Sequence, residues 1–252
     1  MRKIVYTMII ISFSFLLVSC FGDEESTPIS PTEEIKWQDY FPLSVGSWWV
    51  IERFETDSTF IPKTNSLKDS VVVTGISTID GKEVFVVETY IHDGSTLYET
   101  NYYYGEGSKV FSYDTLYGSG TLGWVLLADF ELSKQFVVED TNTTNVVWNG
   151  GQVFTGYLKI SLDSCYKTNL DVFGNNLPAY SLEKYSKFEG DVIISGVLNL
   201  EVYSEGFITL VYAKGVGFAE EKTKAYQDLV IGSEHQKGWR YILKKLLRYR
   251  IN

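Results

Sequence analysis

Short runs of apolar residues that alternate with polar ones fill most of the chain beyond residue 46, and they predict β-strands. Ser70–Ile79 and Glu83–Ile91 are rich in Val, Ile, Thr and aromatic residues, which favour strands. Asp80 and Gly81 lie between them and suit a type I′ hairpin turn, in which both central residues need positive φ. Further strands are predicted over Ser47–Phe54, Leu97–Tyr104, Lys109–Asp114, Gln135–Glu139, Gln152–Leu162, Ala179–Phe188, Val192–Tyr203 and Phe207–Lys214, with turns at His92–Ser95 and Glu205–Gly206.

Only two segments suggest helices. Leu122–Phe136 has apolar residues at Leu126, Leu127 and Phe130 that suit a short helix, and Trp239–Tyr249 fits either a basic amphipathic helix or a final strand. We favour the strand because of the aromatic and β-branched residues there. The pattern therefore predicts an all-β, mainly antiparallel fold with one or two short helices. The sheet would be a strongly curved sheet, an open half-barrel or a sandwich.

The first residues have the pattern of a secretory leader. Arg2 and Lys3 precede Ile4–Leu16, an apolar run broken only by hydroxyl residues. That run is shorter than the ~20 residues that a membrane-spanning helix needs. We therefore predict a signal peptide over residues 1–19.

Leu17, Val18 and Ser19 come directly before Cys20. This tetrapeptide resembles the lipobox of bacterial lipoproteins. The resemblance implies cleavage before Cys20 and acylation of its thiol and amine, with palmitate among the acyl chains, so that the membrane is the first partner of the protein. Phe21 follows the cysteine, where Asp would resemble an inner-membrane retention signal. The resemblance thus implies a lipid-anchored protein of the cell envelope, sorted to the outer membrane and facing the periplasm or the cell surface.

The composition of residues 20–36 predicts a disordered tether between the membrane and the folded domain. The segment is acidic, contains Pro28 and Pro31, and has little apolar surface to offset its ordering entropy. Residues 37–252 are then expected to form a single β-rich domain, a size that all-β folds reach as one unit.

Charge and cysteine content exclude several classes of protein. The chain has 22 Lys and Arg residues against 32 Asp and Glu residues, a formal net charge of -10. This balance argues against nucleic acid as a partner, since phosphate contacts require clustered cations.

With Cys20 acylated, Cys165 has no disulfide partner, and we expect it to pack as a small apolar residue. Together with two histidines it cannot supply the four ligands of a closed zinc site.

Two short boxes carry a second resemblance. The YFPL box consists of Tyr40–Leu43 followed by Gly46, Trp48 and Trp49, and the YAxGVG box is Tyr212–Phe218. Both resemble stretches of uncharacterised bacterial secreted and lipoprotein-type proteins. The fold that this resemblance implies is a β-rich half-barrel, loosely like that of outer-membrane lipoprotein carriers. Independently, Gly215 and Gly217 are expected to bend a strand or end a hairpin.

Catalytic and cofactor motifs give no firm site. Gly118–Gly123 matches the G-x-G-x-x-G pattern of dinucleotide sites, but the surrounding pattern is antiparallel β, so a glycine-rich turn is the preferred interpretation. His92 and His235 lie in predicted turns, where a lone imidazole is usually solvated. The oxygen-rich segment with Asp140, Asn142 and Asn145 lacks the glycine and distal Glu of an EF-hand loop and is interpreted as a solvated loop. We therefore predict no catalytic residue, no cofactor and no metal.

Aromatic residues are the remaining candidates for binding. Tyr102 and Tyr104 should share one face of a strand and Tyr103 the other. Exposed aromatic rows stack on sugar rings or hold apolar ligands, although a curved sheet also uses them to fill its core. The other aromatic residues that are candidates for ligand binding are Tyr98, Trp48, Trp49, Trp124 and Trp148.

The expected function is non-catalytic binding or scaffolding at the cell envelope. One alternative is a carrier that holds an apolar or glycan ligand in a half-barrel cavity, which a large aromatic-lined cavity would favour. Another is an envelope hydrolase with two carboxylates flanking a glycosidic bond.

Overall fold

A computed structural model describes nearly all of the chain after the predicted leader and tether, and it is almost entirely antiparallel β-sheet. Cys20, the leader and most of the tether lie outside the described residues, so their predictions stay untested. The described ranges are 34–91, 96–116, 121–148, 152–194, 198–231 and 234–252.

The described strands form a sheet of twelve, preceded by a helix of one turn, α1 (Trp37–Tyr40). The strands are β1 (Trp48–Thr56), β2 (Pro62–Ile79), β3 (Lys82–Ile91), β4 (Thr96–Glu106), β5 (Lys109–Leu116), β6 (Thr121–Asp129), β7 (Phe136–Trp148), β8 (Gln152–Val172), β9 (Asn175–Ile194), β10 (Leu198–Ala213), β11 (Gly217–Ile231) and β12 (Glu234–Arg250).

The order of the strands is that of two meanders joined in the middle. From β1 the chain runs outward to β6, crosses to β7 at the opposite edge and returns to β12, which pairs with β1. The sheet curves until it is nearly closed and barrel-like, with an unsealed seam between β6 and β7. This confirms the all-β class and favours the half-barrel among the predicted architectures.

Aromatic residues of α1 pack inside the curve of the sheet. Trp37 and Tyr40 are three residues apart and so share one face of the helix turn. The Trp37 ring lies 6.2 Å from that of Phe85 on β3, and the Tyr40 ring lies 4.7 Å from that of Tyr180 on β9. Phe130, which follows β6, also contacts Tyr180, at 5.7 Å. The two halves of the sheet therefore meet across one aromatic core.

The predicted turn between β2 and β3 is confirmed. Asp80 and Gly81 have φ of 51° and 75°, as a type I′ turn requires. Phe173 and Gly174 repeat this geometry between β8 and β9, with φ of 54° and 83°, at a hairpin that the sequence analysis did not predict.

The predicted helix over Leu122–Phe136 is wrong. Thr121–Asp129 is strand β6, which pairs with β5. The register shifts so that Phe111 faces Leu126 while Val110 faces Ala128, which leaves Leu127 as an extra residue in a β-bulge. The bulge explains how neighbouring apolar residues, which suggested a helix, fit into a strand.

Two further local predictions are wrong. Glu205 and Gly206 do not form a turn but lie inside β10, paired with Lys187 and Ser186 of β9. Gly206 instead allows close approach, because a Cβ there would lie 2.9 Å from the Ser186 hydroxyl. The predicted strand Val192–Tyr203 is divided between β9 and β10. Trp239–Tyr249, by contrast, is confirmed as part of a strand, β12.

Candidate ligand-binding cavity

The two boxes that the sequence analysis singled out lie against each other inside the sheet. The indole N–H of Trp49 donates a buried hydrogen bond of 2.7 Å to the Val216 carbonyl. The backbone N–H of Gly215 donates to the Asp39 carbonyl at 2.7 Å. The rings of Phe41 and Tyr212 are 5.6 Å apart. The YFPL and YAxGVG boxes, more than 160 residues apart in the chain, thus form one structural unit.

A cavity of about 370 Å³ lies above this unit, within the curve of the sheet. Its volume falls within the ~300–1,000 Å³ that is typical of ligand pockets. The two boxes supply most of the aromatic lining, and the inner faces of β1–β3 and β10 supply aliphatic side chains. The apolar lining includes Phe41, Pro42, Leu43, Trp49, Ile51, Val71, Val87, Ile208, Leu210, Tyr212 and Phe218.

A second cavity, of about 390 Å³, adjoins the first, and Lys184 and Ile208 line both. Strands β7–β10 supply its apolar lining. The two cavities together give an apolar interior that extends from the boxes to the β7 side of the sheet. Its apolar lining consists of Val146, Phe154, Leu158, Ile160, Phe188, Val202 and Ile208.

Charged side chains also line the first cavity, and two of the carboxylates are paired. The ammonium of Lys244 lies 3.0 Å from a carboxylate oxygen of Glu221. Arg53 approaches Asp69 at 3.8 Å, although the other oxygen of Asp69 is buried without a hydrogen-bond partner among the described residues. Glu99 and Lys184 complete the charged lining.

Lys184 is the charged group with the most unusual surroundings. Burial lowers the pKa of its ammonium group, although the nearby carboxylates of Glu221 and Asp114 act in the opposite direction. Within the described part of the chain, no carboxylate lies within ion-pair distance of Lys184. Lys184 stands at the junction of the two cavities.

Two tyrosines of the lining remain uncharged hydrogen-bonding groups. Burial raises the pKa of the phenols of Tyr103 and Tyr212 far above the ordinary value, and nearby carboxylates raise it further. Both side chains therefore offer neutral hydroxyls to the first cavity.

The predicted alternation along β4 is confirmed. Tyr103 lines the cavity, whereas Tyr104 packs against Trp124 at 4.7 Å and lies 4.2 Å from the Lys82 ammonium. Tyr98 is 67% exposed and does not belong to the cavity lining.

A row of aromatic residues also crosses the outer face of strands β10–β12. Tyr203 lies 6.0 Å from Tyr226, which lies 5.3 Å from Trp239. Tyr241 continues the row, and the Lys224 ammonium lies 4.4 Å from the Trp239 ring. Aromatic residues thus occur on both faces of the sheet, and the inner ones line the first cavity.

The other residues that the sequence analysis considered for catalysis or metal binding do not form a site with one another among the described residues. His235 pairs with Asp228 on an exposed part of β11 and β12, and neither residue lines either of the two cavities. Asp140 lies in strand β7 and accepts a hydrogen bond from Tyr157 at 3.0 Å, so the interpretation of its segment as a loop is wrong. His92 and residues 118–120 lie outside the described residues, whereas Thr121–Gly123 belong to strand β6.

Among the described residues, no three or more potential metal ligands lie close enough together to hold an ion. No helix in the same part of the chain has the length and hydrophobicity needed to cross a bilayer.

Cys165 lies beside the aromatic core, as expected of a thiol that packs as an apolar residue. Burial raises the pKa of its thiol to about 12, and the nearby Asp129 carboxylate adds to this effect. Since only the thiolate reacts, we expect alkylation at pH 8 to be on the order of 1,000-fold slower in the folded protein than in the urea-unfolded chain. Timed labelling with iodoacetamide and mass spectrometry measures both rates. Comparable rates would contradict the buried environment.

The comparisons with known proteins give little further information. No family model and no curated protein matches the chain. Among solved structures, a provisionally assigned lipoprotein from Parabacteroides distasonis ATCC 8503 aligns with a TM-score of 0.48 and 8% sequence identity, over 86% of this chain and 100% of the other. Because that TM-score is below 0.5, we base no argument on the likeness.

Proposed function

We propose that this protein is a lipid-anchored lipoprotein of the cell envelope that binds an apolar ligand inside its barrel-like sheet without chemically changing it. The observation that carries the proposal is the apolar interior formed by two adjoining cavities of about 370 and 390 Å³. Both cavities are partly open to solvent, and concave apolar spaces of this size are typical of ligand-binding sites. A concave apolar lining that water can reach is better explained by an occupant than by a surface left in contact with water.

The chemistry of the lining favours an acyl-like ligand over a glycan. Sugar rings need aromatic faces together with several hydrogen-bonding groups. Aliphatic side chains are instead the largest group in the lining of the first cavity, with Val71, Val87 and Leu210 among them. The exposed row of Tyr226 and Trp239 on the outer face would suit a sugar better.

The charged residues of the cavity support binding rather than hydrolysis. A glycosidase with paired carboxylates needs one of them protonated at working pH. Asp69 and Glu221 instead each lie in an ion pair, with Arg53 and Lys244 respectively. The non-enzymatic role and the outer-membrane address, which derives from the lipobox-like residues before Cys20 and from Phe21, form part of the same proposal.

Filling the cavity tests the binding function. Ile208→Trp adds bulk where the two cavities adjoin, so we expect at least a tenfold loss of affinity for N-phenyl-1-naphthylamine, an uncharged fluorophore that brightens in apolar sites. Phe207→Trp is the matched control, because Phe207 is the preceding residue of β10 and is 44% exposed. Circular dichroism verifies the folding of both variants. Absence of binding to the unaltered protein, or undiminished binding to folded Ile208→Trp, would contradict the proposal.

A further inference from the structure

Lys184 occupies a position at which the pattern of its strand would place an apolar residue. Alternate residues of β9 share a face, and the inward-facing row begins with Tyr180 and Leu182, which are 3% and 0% exposed. Lys184 and Ser186 continue this row into the second cavity. The ammonium group of Lys184 therefore belongs to the lining of two cavities that are otherwise mainly apolar.

The other cations near the first cavity have counter-ions, and Lys184 does not. Lys244 is paired with Glu221, and Arg53 approaches Asp69. Among the described residues, Lys184 has no carboxylate within 4.0 Å and no hydrogen-bond partner for its ammonium. Burying an unpaired charge costs free energy, and a charged partner recovers much of it. An anionic group on a bound molecule would supply the missing partner.

The surroundings of Lys184 restrict what this anion can be. Apolar side chains extend from Lys184 in two directions, toward Leu210 in the first cavity and toward Phe188 in the second. A small inorganic anion would leave these walls unfilled. The carboxylates of Glu221 and Asp114 act on the same ammonium, so a doubly charged phosphate head would be repelled more strongly than a single carboxylate.

We propose that Lys184 binds the carboxylate of a long-chain monocarboxylic amphiphile, whose hydrocarbon chain occupies the apolar interior. This inference rests on the proposed binding function and adds the chemical class of the ligand. Lys184 acts as the residue that selects the head group, while the aliphatic and aromatic lining holds the chain.

The test compares two ligands that differ only in the head group. Dodecanoate and dodecan-1-ol are titrated as competitors of N-phenyl-1-naphthylamine on the full folded domain. We expect the unaltered protein to prefer dodecanoate, and Lys184→Met to lose at least about tenfold in dodecanoate affinity, as expected for a buried charge-assisted contact. Dodecan-1-ol should change less than twofold. Lys184→Arg keeps the charge and should retain most of the preference.

A matched variant controls for the change in net charge. Lys245→Met removes the same charge from β12, where the side chain is 54% exposed, and should leave both affinities unchanged. The inference is overturned if Lys184→Met binds dodecanoate as well as the unaltered protein does, or if it loses both ligands equally. If the unaltered protein binds the fluorophore but dodecanoate does not displace it, the inference about Lys184 is likewise overturned. If the unaltered protein does not bind the fluorophore at all, the proposed binding function itself fails, which is a separate outcome.

Discussion

Replacing Gly190 by valine is expected to lower the free energy of unfolding by about 3 kcal/mol, the upper end of the usual cost of overpacking. Gly190 of β9 lies directly opposite Gly156 of β8. A Cβ atom on Gly190 would lie 2.3 Å from the Thr155 carbonyl oxygen and 2.6 Å from the Gly156 Cα. These neighbours are backbone atoms, which cannot rotate away as a side chain can.

Relief of this clash requires the two strands to separate locally. Strands β8 and β9 pair over nearly their whole length, from Val153 with Ile193 to Val172 with Asn175, so separation at Gly190 breaks backbone pairing near the Val153 end of the ladder. Since domains have only about 5–15 kcal/mol of net stability, much of the variant should be unfolded or insoluble. Urea titration followed by tryptophan fluorescence measures the loss.

The control variant is Gly75→Val on β2. A Cβ atom there would meet no heavy atom within 4 Å, and valine suits a strand. We expect a change of less than about 1 kcal/mol. Equal stability of the Gly190→Val and Gly75→Val proteins would show that β8 and β9 do not approach each other as closely as described.

Local chemistry was sufficient to predict the elements in which neighbouring residues decide the geometry. Asp80 and Gly81 suit a type I′ turn wherever they occur between two strands, and the turn is confirmed. Gly215 likewise ends the hairpin between β10 and β11, with φ of 72°, as the sequence analysis expected. Such features depend on two or three residues and not on the remainder of the fold.

Elements that depend on distant partners could not be predicted in this way. Leu126 and Leu127 suit a helix as well as a strand, and pairing with β5 decides between them. Strand β11 was not predicted at all, since Lys222, Thr223 and Lys224 form a polar stretch that becomes a strand only between β10 and β12. The pairing of β1 with β12 joins the two ends of the domain, and no local pattern encodes it.

The sequence predicts the cavity lining only in part. The YFPL and YAxGVG boxes were interpreted as features of the fold, and their residues do line the first cavity. Lys184 was missed, because its strand was predicted but the face of that strand that turns inward depends on how the sheet closes. One signal was available: Tyr180, Leu182 and Lys184 alternate along β9, so that a cation interrupts an otherwise apolar inward row.

The Cys20→Ser variant is expected to lose all acyl labelling and to move from the membrane fraction to the soluble fraction. Cleavage before Cys20 would remove Arg2 and Lys3 with the leader, so the formal net charge falls from -10 to -12. A chain of that charge is repelled by anionic lipid head groups, so acyl chains must supply the attachment. Each buried CH₂ contributes about 0.8 kcal/mol, and stable anchoring takes more than one chain.

Cys165→Ser is the matched control, because it removes the second thiol of the chain, which lies half-buried beside the aromatic core. It should keep both the labelling and the membrane attachment of the unaltered protein. Metabolic labelling with an alkyne analogue of palmitate, followed by membrane fractionation, measures both properties. If Cys20→Ser stays in the membrane fraction, the protein is not attached through Cys20. The proposal that it is a lipid-anchored carrier then fails, although the cavity could still bind a ligand. Loss of labelling in Cys165→Ser would instead point to acylation of that thiol.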